Sequence, residues 1–182
     1  MTDLALRNTG SAAGRSRQRG FTLLELTVVI IVVALVIYAG MDHFQRTIRE
    51  ANATAVSMNG RALLDGVRAA NIMYMTQGVS GVKYNLPRFA NGDVDMNARG
   101  FPAGTSRQRG DRLTGRHCQE VWRAVTEANP DQLGPRAQDP FSATVAKQGK
   151  RSICNYAYRR DDRMYITYDP ALGQVKIYAD AN

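Results

Sequence analysis

The chain has 182 residues, with 24 lysines and arginines against 16 aspartates and glutamates, giving a formal net charge of +8. This length leaves room for one small domain beside a long helix and excludes a second domain. The two cysteines suit an exported domain in an oxidising compartment, and the two histidines are not spaced as a metal-binding pair.

The first element in chain order is an apolar stretch at residues 21–40, in which Glu25 is the only charged residue. About 20 apolar residues in a helix are enough to span a bilayer core. Before this stretch lies a basic leader, residues 1–20, with four arginines against Asp3. By the positive-inside rule, the leader predicts a cytoplasmic N-terminus and a periplasmic C-terminal domain.

The junction between leader and apolar stretch is the most specific feature of the chain. A secretory signal is cut after its apolar stretch, whereas here the candidate cleavage point, Gly20-Phe21, precedes it. This arrangement resembles the class III leader of type IV prepilins and of type II secretion pseudopilins. The residues that carry the resemblance are Gly20, Phe21, Thr22, Leu23, Leu24, Glu25 and Leu26.

The resemblance implies an α+β pilin fold, in which a long N-terminal helix packs against a small antiparallel sheet. It implies that a prepilin peptidase cuts after Gly20 and methylates the new amine of Phe21. It also implies lipid around the helix before assembly, an inner-membrane assembly platform as a partner, and a helical homo- or heteropolymer of pilin subunits. Neither an enzymatic activity nor a cofactor is implied.

Glu25 has a physical reason to be in the apolar stretch. A carboxylate in a membrane helix costs about 2–4 kcal/mol on insertion scales. Cleavage after Gly20 would create an amine on Phe21, and this amine could pair with Glu25 of a neighbouring subunit. We therefore predict that Glu25 sets the register of subunits in a filament; the alternative is a glutamate tolerated near the membrane surface.

Helical periodicity continues beyond the apolar stretch and predicts one helix over residues 22–75. Residues 21–40 are apolar on all sides and form the membrane and assembly half, whereas residues 41–76 form an amphipathic half. Residues 77–182 are then the globular head. Three glycines in the helix are expected to weaken it, each by up to about 1 kcal/mol relative to alanine: Gly40, Gly60 and Gly66.

Residues 77–115 are rich in glycine, proline, asparagine and arginine, which predicts a long loop with one short strand at 82–86. By resemblance, this loop contributes to the fibre surface. Residues 118–128 predict a short amphipathic helix, and residues 131–148 read as irregular because Pro135 and Pro140 interrupt them.

The last third of the chain predicts an antiparallel meander of three strands, at residues 151–159, 164–168 and 174–178. One face of this meander is expected to cover the amphipathic half of the long helix. Cys118 and Cys154 enclose 35 residues, and a disulfide between them would stabilise the domain by about 3–4 kcal/mol. The alternative is a pair of free buried thiols; a catalytic cysteine is disfavoured because His117 lacks a recognisable third partner.

Sequence motifs for enzymes are absent: the chain has no phosphate-binding glycine loop and no histidine pair for a metal. Asp161, Asp162 and Asp169 do not have the spacing of a known calcium loop, so we expect no metal site. A basic cluster is more prominent, and it consists of Arg99, Arg107, Arg109, Arg112 and Arg116 against Asp111. It could contact DNA phosphates or a receptor, but the sequence favours a solvated loop that pairs with acidic patches on neighbouring subunits.

The favoured function is therefore a structural subunit of a type IV pilus-like filament, located in the bacterial inner membrane and then in the filament. The alternatives are a pseudopilin of type II secretion, or a minor pilin that binds DNA or a receptor through residues 99–116. A third alternative, an unprocessed single-span membrane protein, requires Gly20 to be irrelevant. The sequence leaves open whether a pilin would be of type IVa or IVb.

Overall fold

The computed structural model describes residues 21–107, 109, 112–126, 132–149 and 151–180. They form an α+β structure with a long N-terminal helix and a small antiparallel sheet, consistent with the pilin fold. The helices are α1 (Leu23–Thr76) and α2 (Gly115–Val125). The strands are β1 (Asp95–Met96), β2 (Pro102–Gly104), β3 (Phe141–Gln148), β4 (Arg151–Tyr158), β5 (Tyr165–Asp169) and β6 (Gln174–Tyr178).

The chain divides into two compact units, of which the first ends at His43 and the second begins at Phe44. Helix α1 contributes to both units. In the first unit every described residue is exposed. In the second unit α1 buries one face, with residues at spacings of three and four: Val56, Gly60, Leu63, Val67, Ala70 and Tyr74.

The buried face of α1 packs into a core shared with α2 and the sheet. Val56, Leu63 and Val67 belong to one buried cluster with residues of α2 and of strands β3, β4 and β5. Two glycines allow this close packing. A Cβ on Gly60 would lie 2.6 Å from the side chain of Ile177, and one on Gly66 would lie 1.8 Å from the backbone oxygen of Val125. The expectation that these glycines only weaken the helix was therefore incomplete.

The sheet has four antiparallel strands in the order β3-β4-β5-β6. The three predicted strands of the meander are confirmed as β4, β5 and β6, with small differences at their ends. The prediction of irregular structure over residues 131–148 was wrong for β3, which pairs with β4 along its whole length. Phe141, Ala143 and Val145 alternate toward the core in register with Tyr158, Tyr156 and Cys154, respectively, and this period-two pattern begins directly after Pro140.

The long connection after α1 is irregular, as predicted, but its strand was misplaced. Only Lys83 of the predicted strand at 82–86 forms a bridge, with Met96. The two strands present are β1 and β2, which pair with each other. Leu86, Val94 and Met96 bury their side chains in a second cluster beside Ala70 and Tyr74 of α1. The connection is therefore held to the end of α1 by its own small core.

Helix α2 begins three residues before the predicted start. Thr114 is its N-cap: the Thr114 hydroxyl accepts a hydrogen bond from the His117 amide, and His117 Nδ1 accepts one from the Thr114 amide. Cys118 on α2 forms a disulfide with Cys154 on β4, and both residues are fully buried. Trp122 packs its ring 4.8 Å from that of Tyr156 and 5.3 Å from that of Phe141.

Candidate functional site

The first candidate site is the apolar part of α1. Its large side chains are half or more exposed along most of the stretch, and Phe21, Leu23 and Tyr38 each exceed 75% exposure. Soluble monomers rarely expose a contiguous apolar surface of this extent. Among the described residues, α1 is the one helix long and apolar enough to cross a membrane, and its most apolar window has a mean hydropathy of 2.6.

The start of α1 has a capped first turn. The amide of Glu25 donates a hydrogen bond to the hydroxyl of Thr22, at 3.2 Å. Thr22 thereby satisfies one of the amide groups that a helix N-terminus leaves without a partner. Glu25 lies in the first turn, where the helix dipole favours a negative charge. Thr22 was part of the sequence motif, but its capping role was not predicted, although a threonine three residues before a glutamate is a known signal.

Gly20, the residue before the predicted cleavage point, lies outside the described residues. Phe21 is the first described residue and is 76% exposed. Phe21 and Glu25 therefore lie on one exposed segment, four positions apart along the chain.

The second candidate site is the basic cluster, whose five arginines are all exposed. Arg99 and Arg109 contact distant parts of the head, and Arg116 pairs with a residue of its own helix. The Arg99 guanidinium donates to the carbonyl of Ala171 in the β5–β6 connection. Arg109 Nε donates to the Tyr84 hydroxyl at 3.0 Å, and Arg116 Nε lies 3.1 Å from a carboxylate oxygen of Glu120.

The other two arginines of the cluster are Arg107 and Arg112. Arg107 has a backbone φ of +57°, a left-handed conformation that is uncommon for residues other than glycine. Arg112 is exposed just before α2. Asp111, the acidic residue within the cluster, lies outside the described residues. The five arginines are therefore spread over the β2–α2 connection, the start of α2 and the residues before β2.

Glu120 organises one end of this cluster. Burial raises the pKa of its carboxyl, but the hydrogen bonds that it accepts from the Thr105 amide, the Ser106 hydroxyl and Arg116 outweigh burial and lower the pKa below the ordinary value. Glu120 therefore remains ionised at neutral pH and fixes the turn at residues 105–106 against α2.

The aspartates near the C-terminus are engaged in ion pairs. Asp161 lies 3.0 Å from Arg163, whose hydrogen bonds lower the pKa of the Asp161 carboxyl. One carboxylate oxygen of Asp169 lies 2.8 Å from the Arg151 guanidinium, and the other accepts a hydrogen bond from the Ala171 amide. Within the part of the chain that the structure describes, no group of three or more histidine, cysteine, aspartate or glutamate residues could hold a metal ion.

Residues 15–37 match the family model of the prokaryotic N-terminal methylation motif. The chain carries this motif. It indicates a prepilin-like substrate of prepilin peptidase that assembles with other pilin subunits, and it points to a structural subunit and not to an enzyme. Together with the apolar helix, it fits membrane insertion followed by assembly into a filament. Searches of the curated proteins and of the solved structures found no match.

The outward face of the β3–β6 sheet was not predicted as a site from the sequence. This face carries two stacked tyrosines, an ion pair and a polar groove. The available signal was the alternation of β4–β6, which sends every second residue away from the core.

Proposed function

We propose that this protein is a structural subunit of a type IV pilus-like filament. Prepilin peptidase cuts it after Gly20, removes residues 1–20 and methylates the amine of Phe21. Residues 21–40 then hold the subunit in the inner membrane, with the head in the periplasm, until the assembly platform transfers it to the filament. The observation that carries the proposal is that the methylation motif, at residues 15–37, overlaps the exposed apolar part of α1.

In this proposal Glu25 places each subunit relative to its neighbour. Moving a lone carboxylate into the apolar interior of a membrane or filament is unfavourable by several kcal/mol. Pairing with the Phe21 amine of a neighbour offsets this cost, because two opposite charges at close distance in a region of low dielectric attract strongly. The Thr22 cap supports this arrangement, since it starts the helix between the two charged groups.

The proposal is tested by shearing filaments from the native cells and measuring this protein in the sheared and membrane fractions. Wild-type protein is expected in both fractions and the Gly20→Ala variant only in membranes, because an uncleaved leader blocks transfer to the filament. Wild-type protein that is absent from sheared filaments, even in cells making the other pilins, would contradict a role in a surface filament.

The alternative role as a pseudopilin of type II secretion rests on the same motif. It predicts a different location: processed protein in membranes, none in surface filaments, and loss of secreted enzymes when the gene is deleted. Sheared-filament and secretion assays on one deletion strain separate the two roles.

A minor pilin that binds an anionic partner is the second candidate, and it is supported by the exposure of all five arginines of the basic cluster. It predicts salt-dependent retention on DNA of the full-length protein in detergent micelles. Retention should fall when Arg107, Arg109 and Arg112 are changed to glutamine. A matched control changes three exposed arginines outside the cluster to glutamine: Arg61, Arg88 and Arg160. Equal loss in both variants would indicate a non-specific effect of charge.

A further inference from the structure

The outward face of the β3–β6 sheet contains a groove of about 370 Å³. Its volume lies at the lower end of the range of sites that hold small ligands. Strand register explains its lining. Asn155 on β4 lies opposite Thr167 on β5, and Thr167 lies opposite Lys176 on β6, so these three side chains form one row across the sheet. The groove therefore belongs to the head alone and uses no residue of α1.

An aromatic pair lies along one side of this row. Tyr165 and Tyr178 are opposite each other on β5 and β6, and their rings stack with centroids 4.3 Å apart and planes inclined by 21°. Tyr178 is 39% exposed, so part of its ring faces solvent at the groove. An exposed aromatic ring offers an apolar plane with a hydroxyl at its rim, which suits ligands with both apolar and polar sides.

The other end of the groove is polar, and its charges nearly cancel. Arg151 and Asp169 form an ion pair at 2.8 Å and both line the groove. Of the charged residues in the lining, this leaves Lys176 as the one net positive charge. A nucleic acid backbone requires several cations along its length, so the groove does not have the charge for it. An extended peptide pairs its backbone with the edge of a sheet and not with its face.

Asn155 contributes a side-chain amide to the lining of the groove. Its side-chain oxygen is closed to solvent and has no hydrogen-bond donor among the described residues. A buried acceptor without a donor is costly, so residues of this kind in a groove point to a ligand or to water as the missing partner. Asn155 itself lines the groove, so a ligand held there would lie next to this side chain.

We propose that this groove binds a short carbohydrate that is neutral or carries a single acidic group. A sugar ring has an apolar C–H face that can stack on Tyr178, and its hydroxyls both donate and accept hydrogen bonds. Those hydroxyls match the neighbouring lining, in which Asn155 lacks a donor and Thr167 and Lys176 provide polar atoms. This binding is additional to filament assembly, since it uses only the face of the sheet turned away from α1.

The test uses the full-length protein in a zwitterionic detergent, because detergents with sugar headgroups would compete for the groove. The probe is an array of immobilised neutral and singly acidic oligosaccharides, with double-stranded DNA as a further probe. We expect any retention on DNA to be unaffected by the groove variants, and we expect retention on at least one oligosaccharide. Asn155→Ala and Tyr178→Ala should each weaken that retention about tenfold, whereas Tyr84→Ala and Asn91→Ala, which lie outside the groove, should not.

A stability measurement separates binding from folding. Asn155→Ala removes an acceptor that has no donor, so the unfolding midpoint should stay constant or rise while retention falls. The fluorescence of Trp122, which is fully buried, reports the unfolding of each variant. Three results would overturn the proposal: no oligosaccharide is retained, retention is unaffected by both groove variants, or the groove variants lose only the ability to associate with other copies of the chain.

Discussion

The packing of α1 makes opposite predictions for glycines that look alike in the sequence. Helix propensity alone predicts that alanine in place of Gly40, Gly60 or Gly66 would stabilise the protein by up to about 1 kcal/mol. In the structure, a Cβ at Gly66 would lie 1.8 Å from the backbone oxygen of Val125 on α2. At Gly60 it would meet the end of the Ile177 side chain at 2.6 Å, and at Gly40 it would meet nothing within 4 Å.

These distances predict how strongly each glycine-to-alanine substitution changes the stability of the protein. For Gly66→Ala, the backbones of α1 and α2 must separate, because a carbonyl group cannot rotate away as a side chain can. Overpacking of this kind costs about 1–3 kcal/mol or more. Even after the gain in helix propensity, we expect Gly66→Ala to lower the free energy of unfolding by about 2 kcal/mol. Gly60→Ala should change it by less than about 1 kcal/mol, because the end of Ile177 can move.

The assay is chemical unfolding of the full-length protein in detergent micelles, followed by the fluorescence of Trp122, the single tryptophan of the chain. Gly40→Ala is the matched control, and it should leave the Trp122 transition unchanged because Gly40 lies in the first unit. If Gly66→Ala were as stable as the wild type or more stable, the close approach of α1 and α2 would be refuted.

Three further predictions concern the head. Replacing Cys118 and Cys154 together by alanine should lower the free energy of unfolding by about 4 kcal/mol on the chain-entropy model; an unchanged denaturation midpoint would contradict a disulfide between them. The pKa of Glu120 is lower in the folded state than in the unfolded state. The ionised carboxylate therefore stabilises the fold fully above the unfolded pKa of about 4.5, and this stabilisation is lost as the pH falls through the folded pKa. Glu120→Gln should therefore flatten the loss of stability as the pH falls below about 4.5, and an equally steep loss would count against this role. Burial raises the pKa of Tyr156 and Tyr168 above the ordinary value of 10, so both should ionise only when alkali unfolds the protein, measured as tyrosinate absorbance; ionisation of all eight tyrosines before unfolding would refute their burial.

The regular parts of the head could be predicted because their signals are local. Strands β4, β5 and β6 alternate in hydrophobicity and are separated by turn residues, so sequence alone located them. Strand β3 has the same alternation at Phe141, Ala143 and Val145, but Pro135 and Pro140 before it predict irregular structure and outweighed that pattern. Strands β1 and β2 have two and three residues, too few for any period to be visible.

Most contacts between distant residues could not be predicted; the pairing of Cys118 with Cys154 is an exception, because the chain has just two cysteines. The roles of Gly60 and Gly66 depend on which atoms the fold places beside them, and no local pattern contains that information. The same is true of Arg99 and Arg109, whose partners lie 72 and 25 positions away along the chain. The methylation motif, in contrast, could be recognised because all of its chemistry lies in one continuous segment, residues 15–37.

The central claim, that the chain is cut after Gly20 and carried into a filament by the helix that remains, is tested most directly by intact mass. The protein is purified from membranes of cells with and without prepilin peptidase, and its mass and N-terminal sequence are determined. The account predicts a chain that starts at N-methylated Phe21 in the first case and at Met1 in the second, with Gly20→Ala protein uncut in both. A Met1 start in cells that have the active peptidase would contradict it.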